Sequence, residues 1–315
     1  MRALVTAIGS MSAECTVTSL NRMGIEVVAT DIYDQCYHPI TTQCAAFVKV
    51  PRVFPDQKAY CEALLMAAQR YACSAIIPLT DPEVDVLSQE RDFFVSHGVA
   101  IWLANAEAII KARTKDCWER ELAASRDFSL IPTYNNYEEL SACYAGEFVA
   151  KKVNGRSSEG ILFSDTNTFV LTKSYETGYV YQPFIEGDII TVDFVRHPQS
   201  LNVVAVPRKE CMRTKNGAGT VVEILDPRLV GAAVEELATT LNLTGVMNCE
   251  FIRRDEQLYL MDINPRFSAG VSFSRMAGYD FIKADVDCYT ADDVVHSPSI
   301  EVGSVLVKRF CDFKV

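Results

Sequence analysis

The residues best placed to do chemistry lie between Val246 and Gly270, in the run VMNCEFIRRDEQLYLMDINPRFSAG. Period-two alternation puts Val246, Asn248, Glu250 and Ile252 on one face of a first strand. It puts Leu258, Leu260, Asp262 and Asn264 on one face of a second. A three-residue loop of Asp255, Glu256 and Gln257 sets Glu250 opposite Asp262, with facing Cβ atoms about 5 Å apart. Like charges directly opposed destabilise a sheet unless something positive lies between them. Two carboxylates and the Asn264 amide suit Mg²⁺, a hard cation that takes oxygen ligands and keeps substrate phosphates in its shell. Arg266, closing the strand after Asn264-Pro265, adds a guanidinium able to grip phosphate or carboxylate oxygens as a fork. For the carboxylates alone, the solvent-facing side of an ordinary hairpin is the competing account. Arg266 weighs against it.

The elements that must position this hairpin read as an α/β chain. ALVTAI (Ala3 to Ile8) is a buried-strand run, Ala13 to Met23 a helix closed by Gly24, and EVVATD (Glu26 to Asp31) a second strand. A helix from Asp56 to Tyr71 precedes the strand SAIIPLTD, and a helix opened by Pro82 leads to VAIWLA. Strands separated by helices imply a parallel sheet, here over residues 1–111. A dinucleotide site would need G-x-G-x-x-G after the first strand, but only Gly9 of GSMSAE supplies it, so Asp31 reads as structural.

Beyond residue 112 the pattern changes. A helix from Arg113 to Ala124 leads to the hairpin FVAKKV, NGRSSE and GILFS, then the strands YVYQPFIEG and IITVDFV. Asp226 and Pro227 cap an amphipathic helix whose stripe is Leu229, Val230, Ala233, Val234, Leu237, Ala238 and Leu241. Two segments are expected here, 112–180 and 181–315.

The formal net charge is −11, so the surface field repels nucleic acid and anionic membrane. No apolar run approaches the roughly 18 residues of a membrane span, and no signal-peptide pattern opens the chain. Eleven cysteines without a C-x-x-C pair read as reduced thiols, which points to the cytoplasm. His38, His97, His197 and His296 lie too far apart in sequence for a zinc motif. No Ser-His-Asp or Cys-His arrangement is recognisable.

MDINPRFSAG resembles the E-x-N-P-R signature of ATP-grasp enzymes, especially carbamoyl-phosphate synthase halves and amino-acid ligases, with Asp262 where Glu is usual. The resemblance implies a Rossmann-like leading domain and an ATP-grasp fold of two α+β subdomains clamping the nucleotide. It implies that Glu250, Asp262 and Asn264 hold Mg²⁺ (or Mn²⁺) and that Arg266 steadies the transferred phosphoryl group. FVAKKVNGRSSEG resembles the family's phosphate loop, placing Lys151, Gly155, Ser158 and Gly160 on ATP, with Lys115 as an earlier phosphate contact. YQPFIEGD resembles the adenine hinge, so Gln182, Pro183, Phe184 and Ile185 frame the base. The usual ribose-holding Glu is Ile189 here, leaving Asp188 as its substitute. Arg208 and Lys209 match a position that reaches the terminal phosphates, and Arg213 with Lys215 to Gly219 looks like a substrate lid.

The implied activity is an ATP-dependent ligase that makes an acyl phosphate from a small carboxylate and transfers the acyl group to an amine or thiol. Amino acids are among the expected substrates, and a homodimer is compatible with the family. Two alternatives stand beside it. One is a bicarbonate-activating half-enzyme like a carbamoyl-phosphate synthase domain. The other is a nucleotide sensor that keeps the fold without turnover.

Overall fold

The computed structural model describes residues 1–152, 160–169, 178–290, 298–309 and 311–314; the side chains of Lys115, Asp116 and Glu119 fall outside the description. The N-terminal part is a five-stranded parallel sheet. Its strands are β1 (Arg2–Val5), β2 (Glu26–Asp31), β3 (Ala46–Lys49), β4 (Ala75–Ile77) and β5 (Ala100–Ile101), in the order β3-β2-β1-β4-β5. Between them run α1 (Ala13–Arg22), α2 (Gln57–Arg70), α3 (Asp81–Gln89) and α4 (Arg91–Ser96). The Asp56 side chain caps α2 by accepting the Ala59 N–H at 3.0 Å. Two expectations need correcting. Ala46–Lys49 is a strand that its short, half-buried run did not announce, and Asp81 opens α3 rather than ending β4. Thr80 and Glu83 supply the capping box that starts α3 there.

The connection to the second part runs through α5 (Ala106–Arg113) and, after Thr114, α6 (Lys115–Glu121), which falls within the helix expected from Arg113 to Ala124. The short β6 (Ser129–Leu130) follows, then α7 (Tyr137–Cys143). A three-stranded antiparallel sheet comes next, in the order β8-β7-β9, from β7 (Glu147–Lys152), β8 (Leu162–Asp165) and β9 (Tyr179–Pro183). Phe148 and Tyr181 from this sheet close a small aromatic core with Tyr137 and Phe169.

The remaining chain builds a seven-stranded sheet from β10 (Asp188–Arg196), β11 (Val203–Arg213), β12 (Gly219–Ile224), β13 (Gly245–Arg254), β14 (Gln257–Asn264) and β15 (Val305–Val307). Its order is β15-β12-β11-β10-β13-β14-β6, so β6 pairs here, parallel to β14, although it precedes the three-stranded sheet in sequence. The segment 112–180 is therefore shared between two sheets. One face of the large sheet buries Ile190, Val192, Phe194, Cys249 and Phe251 with α8 (Gly231–Thr240). The expected stripe of α8 is buried from Val230 to Leu241, but a short 3₁₀ turn, Pro227–Leu229, precedes the helix. The other face packs Val195, Val204, Val206 and Val246 against α9 (Val271–Met276) and α10 (Phe281–Thr290), and stays polar farther along. No helix among the described residues is long and apolar enough to cross a membrane, and all eleven cysteines are free.

Candidate active site

Glu250 faces Asp262 and Asn248 faces Asn264, but by a route other than a three-residue loop. The turn has two residues, Asp255 and Glu256, with Arg254 opposite Gln257 and Asp255 at φ 55°. Phe251 pairs with Leu260 while Glu250 pairs with Asp262, so Met261 is an extra residue bulged out of β14. Leu258 and Leu260 therefore do not share a face with the acids. They join Ile263 in the core, and the bulge turns Asp262 and Asn264 to the polar side.

That side is continuous across three strands. Thr191 lies opposite both Arg208 and Glu250, and Asp193 lies opposite Asn248. Arg208 is 1 % exposed. Its guanidinium donates to Asp193 at 2.7 Å and to Ser268 Oγ at 2.9 Å, and lies 3.3 Å from Glu210. Ser274 donates to the same Asp193 oxygen at 2.6 Å. Arg208, expected at the terminal phosphates, is thus held by Asp193, Ser268 and Glu210 within the polar face. A Cβ on Gly270 would stand 2.7–2.9 Å from that guanidinium, which explains the glycine. Lys209, one residue on, points to the opposite face of the sheet. There it pairs with Asp188 at 2.8 Å, so these two expected contacts hold each other.

Arg213, expected beside a substrate lid, is the last residue of β11. Residues 214–218 form a tight turn between β11 and β12, with Thr214 N–H donating to Ala218 O at 2.8 Å. The Arg213 guanidinium donates to both Glu250 oxygens, at 2.8 and 3.0 Å. Burial pushes the Glu250 pKa up, Arg213 pulls it down, and neighbouring Asp262 pushes it up again. A positive group thus already lies against this acid pair, as opposed like charges require. Among the described residues no three His, Cys, Asp or Glu side chains converge. The donor set is two carboxylates plus the Asn264 amide, which fits a hard cation that takes its remaining ligands from phosphate oxygens.

Arg266 is held from the other half of the molecule. Its Nε and Nη2 donate to the two Asp81 oxygens at 2.6 and 3.0 Å, and Nη1 donates to Phe267 O at 3.1 Å. Arg113 donates to the same Asp81 carboxylate at 2.8 Å and sits 3.0 Å from Asp85. Burial alone would raise the Asp81 pKa, but Arg266 and Arg113 outweigh it and hold the group at about 2. Sequence reasoning missed Asp81. Its signal was the capping box around it, while its partner lies 185 positions away.

The nucleotide-side residues lie on and beside the three-stranded sheet. Lys151 is opposite Val180 in β7–β9. Gly160 takes φ 72°, and the Lys152 side chain lies against it. Gly155 and Ser158 lie outside the described residues, as does the side chain of Lys115, the first residue of α6. Gln182 is buried and donates to Thr133 Oγ1 at 2.8 Å, and Pro183 ends β9. Phe184 N–H donates to Glu147 O at 2.8 Å, and its ring meets Phe163 edge-on at 5.9 Å. Phe184 and Ile185 thus begin the connector from the small sheet to β10. Ile189 lies opposite Ile252 on the Glu250 face, an apolar pair beside the acids.

Residues 118–270 match the family model of an ATP-grasp domain, and residues 4–102 match that of a PylC-like N-terminal domain. The chain thus carries an ATP-grasp domain, and with it the fold of an ATP-grasp ligase. Within that class its leading domain is of the PylC-like kind. Solved structures share the fold. A Campylobacter jejuni biotin carboxylase in complex with β,γ-ATP aligns at TM-score 0.75 and 15 % identity, over 96 % of this chain and 74 % of that one. A Rhizobium etli pyruvate carboxylase with acetyl coenzyme A aligns at 0.77 and 14 %, over 97 % and 30 %. The biotin carboxylase domain of Hydrogenobacter thermophilus 2-oxoglutarate carboxylase, with MgADP and bicarbonate, aligns at 0.74 and 15 %, over 96 % and 73 %.

Proposed function

We propose that the chain joins a small carboxylate to an amine, using Mg²⁺-ATP and an acyl-phosphate intermediate. The observation that carries this reading is the pairing of Glu250 with Asp262, with Asn264 at the end of the same strand and Arg266 just beyond it. In the first step a substrate carboxylate oxygen attacks the γ-phosphorus and the bond to the ADP oxygen breaks. In the second, the amine attacks the acyl carbon, inorganic phosphate leaves and the nitrogen loses a proton. Phosphoryl transfer of this kind needs positioning and charge neutralisation more than covalent help.

Glu250, Asp262 and Asn264 would hold the metal ion, which when bound neutralises charge on the transferring group. Arg266, aimed by Asp81, presents its guanidinium beside Asn264 for the oxygens of the carboxylate or the phosphoryl group. Lys151 would meet the nucleotide phosphates. The second reading, bicarbonate as the carboxylate, is favoured by the fold shared with biotin carboxylases.

Hydroxylamine trapping tests the proposal. With ATP, Mg²⁺ and an active carboxylate, a hydroxamate should accumulate together with ADP. Formation of AMP and pyrophosphate would instead mean adenylation and would overturn the acyl-phosphate route. Bicarbonate-dependent ADP release without any other carboxylate would select the second reading.

A further inference from the structure

A cavity of about 850 Å³ opens at the carboxyl ends of β1, β2, β3 and β4 in the parallel-sheet domain. The strand order β3-β2-β1-β4-β5 reverses between β1 and β4, and open parallel sheets hold ligands at such switch points. Tyr33, Tyr37, Phe54 and Phe313 line this cavity, and each is at least 48 % exposed. The first three follow β2 and β3, whereas Phe313 comes from beyond β15, so distant stretches of chain deliver rings to one opening. Ile8, Val50 and Val53 form buried apolar walls. Single exposed rings are ordinary on a protein surface. Four of them around one apolar hollow mark a ligand site, and the volume suits a small molecule.

The charges of the wall decide the class of ligand. Its buried ionisable groups, Asp31, His38, Tyr60 and Glu83, are all partnered within the protein. Asp31 accepts N–H groups from Gly9 and Tyr33, each at 3.0 Å, and His38 lies 3.4 Å from it. Glu83 accepts from the Tyr60 hydroxyl at 2.9 Å and from the Thr80 hydroxyl at 2.7 Å, and burial pushes its pKa up. At the mouth, Glu14 and Arg52 are exposed and opposite in sign, and the Arg52 guanidinium lies 5.9 Å from the Tyr33 ring centre. A ligand bringing a full charge inside would lose its hydration and meet no free counter-charge. An uncharged ring loses little and gains apolar walls and ring-to-ring contact.

We infer that this cavity binds an uncharged aromatic molecule, at a site separate from the nucleotide and from the Glu250–Asp262 pair. The binding calls for neither ATP nor metal and stands independently of the ligase reading.

Calorimetric titration of the full chain with tryptophol, tryptamine and indole-3-acetate tests it, since the three share one ring and differ in charge. Tryptophol, the uncharged member, should bind at least about tenfold more tightly than the cation or the anion. Saturating Mg²⁺-ADP should leave its affinity unchanged. Tyr37→Ser and Phe313→Ser each remove an exposed ring and should weaken tryptophol about threefold, and the double variant about tenfold. Thr42→Trp, at an exposed position of the lining, should fill the cavity and weaken tryptophol at least about tenfold. Unchanged melting temperatures would show that these surface variants keep the fold. The assignment is overturned if tryptophol does not bind, if either charged indole binds as tightly, or if Mg²⁺-ADP displaces it. It is also overturned if the double variant and Thr42→Trp both bind tryptophol normally. Tryptophol bound at this site by a chain that fails to bind Mg²⁺-ADP would support the cavity and count against the ligase reading alone.

Discussion

Arg266 and Asp81 form a two-pronged ion pair, at 2.6 and 3.0 Å, between the strand that carries Asp262 and the first residue of α3 in the parallel-sheet domain. The arginine is thereby aimed by a residue that belongs to neither ATP-grasp subdomain. Asp81→Asn keeps the size and removes the charge. It should cost about 3 kcal/mol of stability, because two guanidiniums lose a largely buried counterion. ADP release should fall roughly 10²-fold as Arg266 loses its aim. Nucleotide affinity should hold. The Asp81 pKa near 2 is depressed, so its contribution to stability is present above about 4 and is lost as pH falls through 2. Denaturant unfolding and ADP-release kinetics check these expectations, and wild-type turnover in Asp81→Asn would end the positioning argument.

The contact of Arg213 with both Glu250 oxygens makes a prediction about metal. Mg²⁺-ATP should raise Tm, with about 2.7 kcal/mol of stabilisation at a hundredfold excess over Kd. Glu250→Gln should lose the Mg²⁺-dependent part and keep the nucleotide-dependent part. Arg213→Met should lower the metal-free Tm, because Glu250 loses its partner, and enlarge the Mg²⁺-dependent increment, because a competing cation is gone. Differential scanning fluorimetry with and without Mg²⁺ separates the terms.

Asp285, on α10, sits buried and accepts the Val246 backbone N–H, and burial pushes its pKa up to about 8. The native state then keeps a proton that the unfolded chain releases above about 4. Stability should fall as pH rises from about 4 to about 8, by at most about 1.4 kcal/mol per unit from this group. Asp285→Asn, still able to accept from Val246, should flatten that slope. Urea titrations at pH 5 and pH 8 decide it, and an unchanged difference between the two pH values would count against a neutral Asp285.

Gly187 ends the connector that carries Phe184 and Ile185 into β10. A Cβ there would lie 2.4 Å from the Arg253 carbonyl oxygen and 2.9 Å from Ile252. Backbone cannot yield as a side chain can. Gly187→Ala should therefore cost about 1–3 kcal/mol. It should also weaken ATP binding, measured by equilibrium titration, because the segment expected to frame adenine must shift.

Much of this was legible in the chain itself, for identifiable reasons. The alternation around Glu250 and Asp262 gives the pairing although the turn is one residue shorter than expected, because the unpaired Met261 in β14 shifts the register by the same amount. The apolar stripe of α8 and four of the five strands of the parallel sheet are legible because burial imposes their periods, although β1, β4 and β5 end three or four residues earlier than expected. Arg208 and Lys209 are grouped because both fall at the position that the resemblance assigns to the terminal phosphates. Adjacency in a strand means opposite faces, and which face is buried depends on β13 and α9, far along the chain. Asp81 was invisible for the same reason: nothing local says that a helix start will meet residue 266.

The bulge at Met261 has a genetic corollary. Met261 has no partner on β13, so the strand carries one residue more here than its pairing needs. Deleting Met261 should leave Asp262 opposite Glu250, because Asp262 then follows Leu260 in ordinary alternation. A second residue inserted beside it and taken into the ladder would exchange inside for outside for the acid, the isoleucine and the amide at once, though each remains in the sequence.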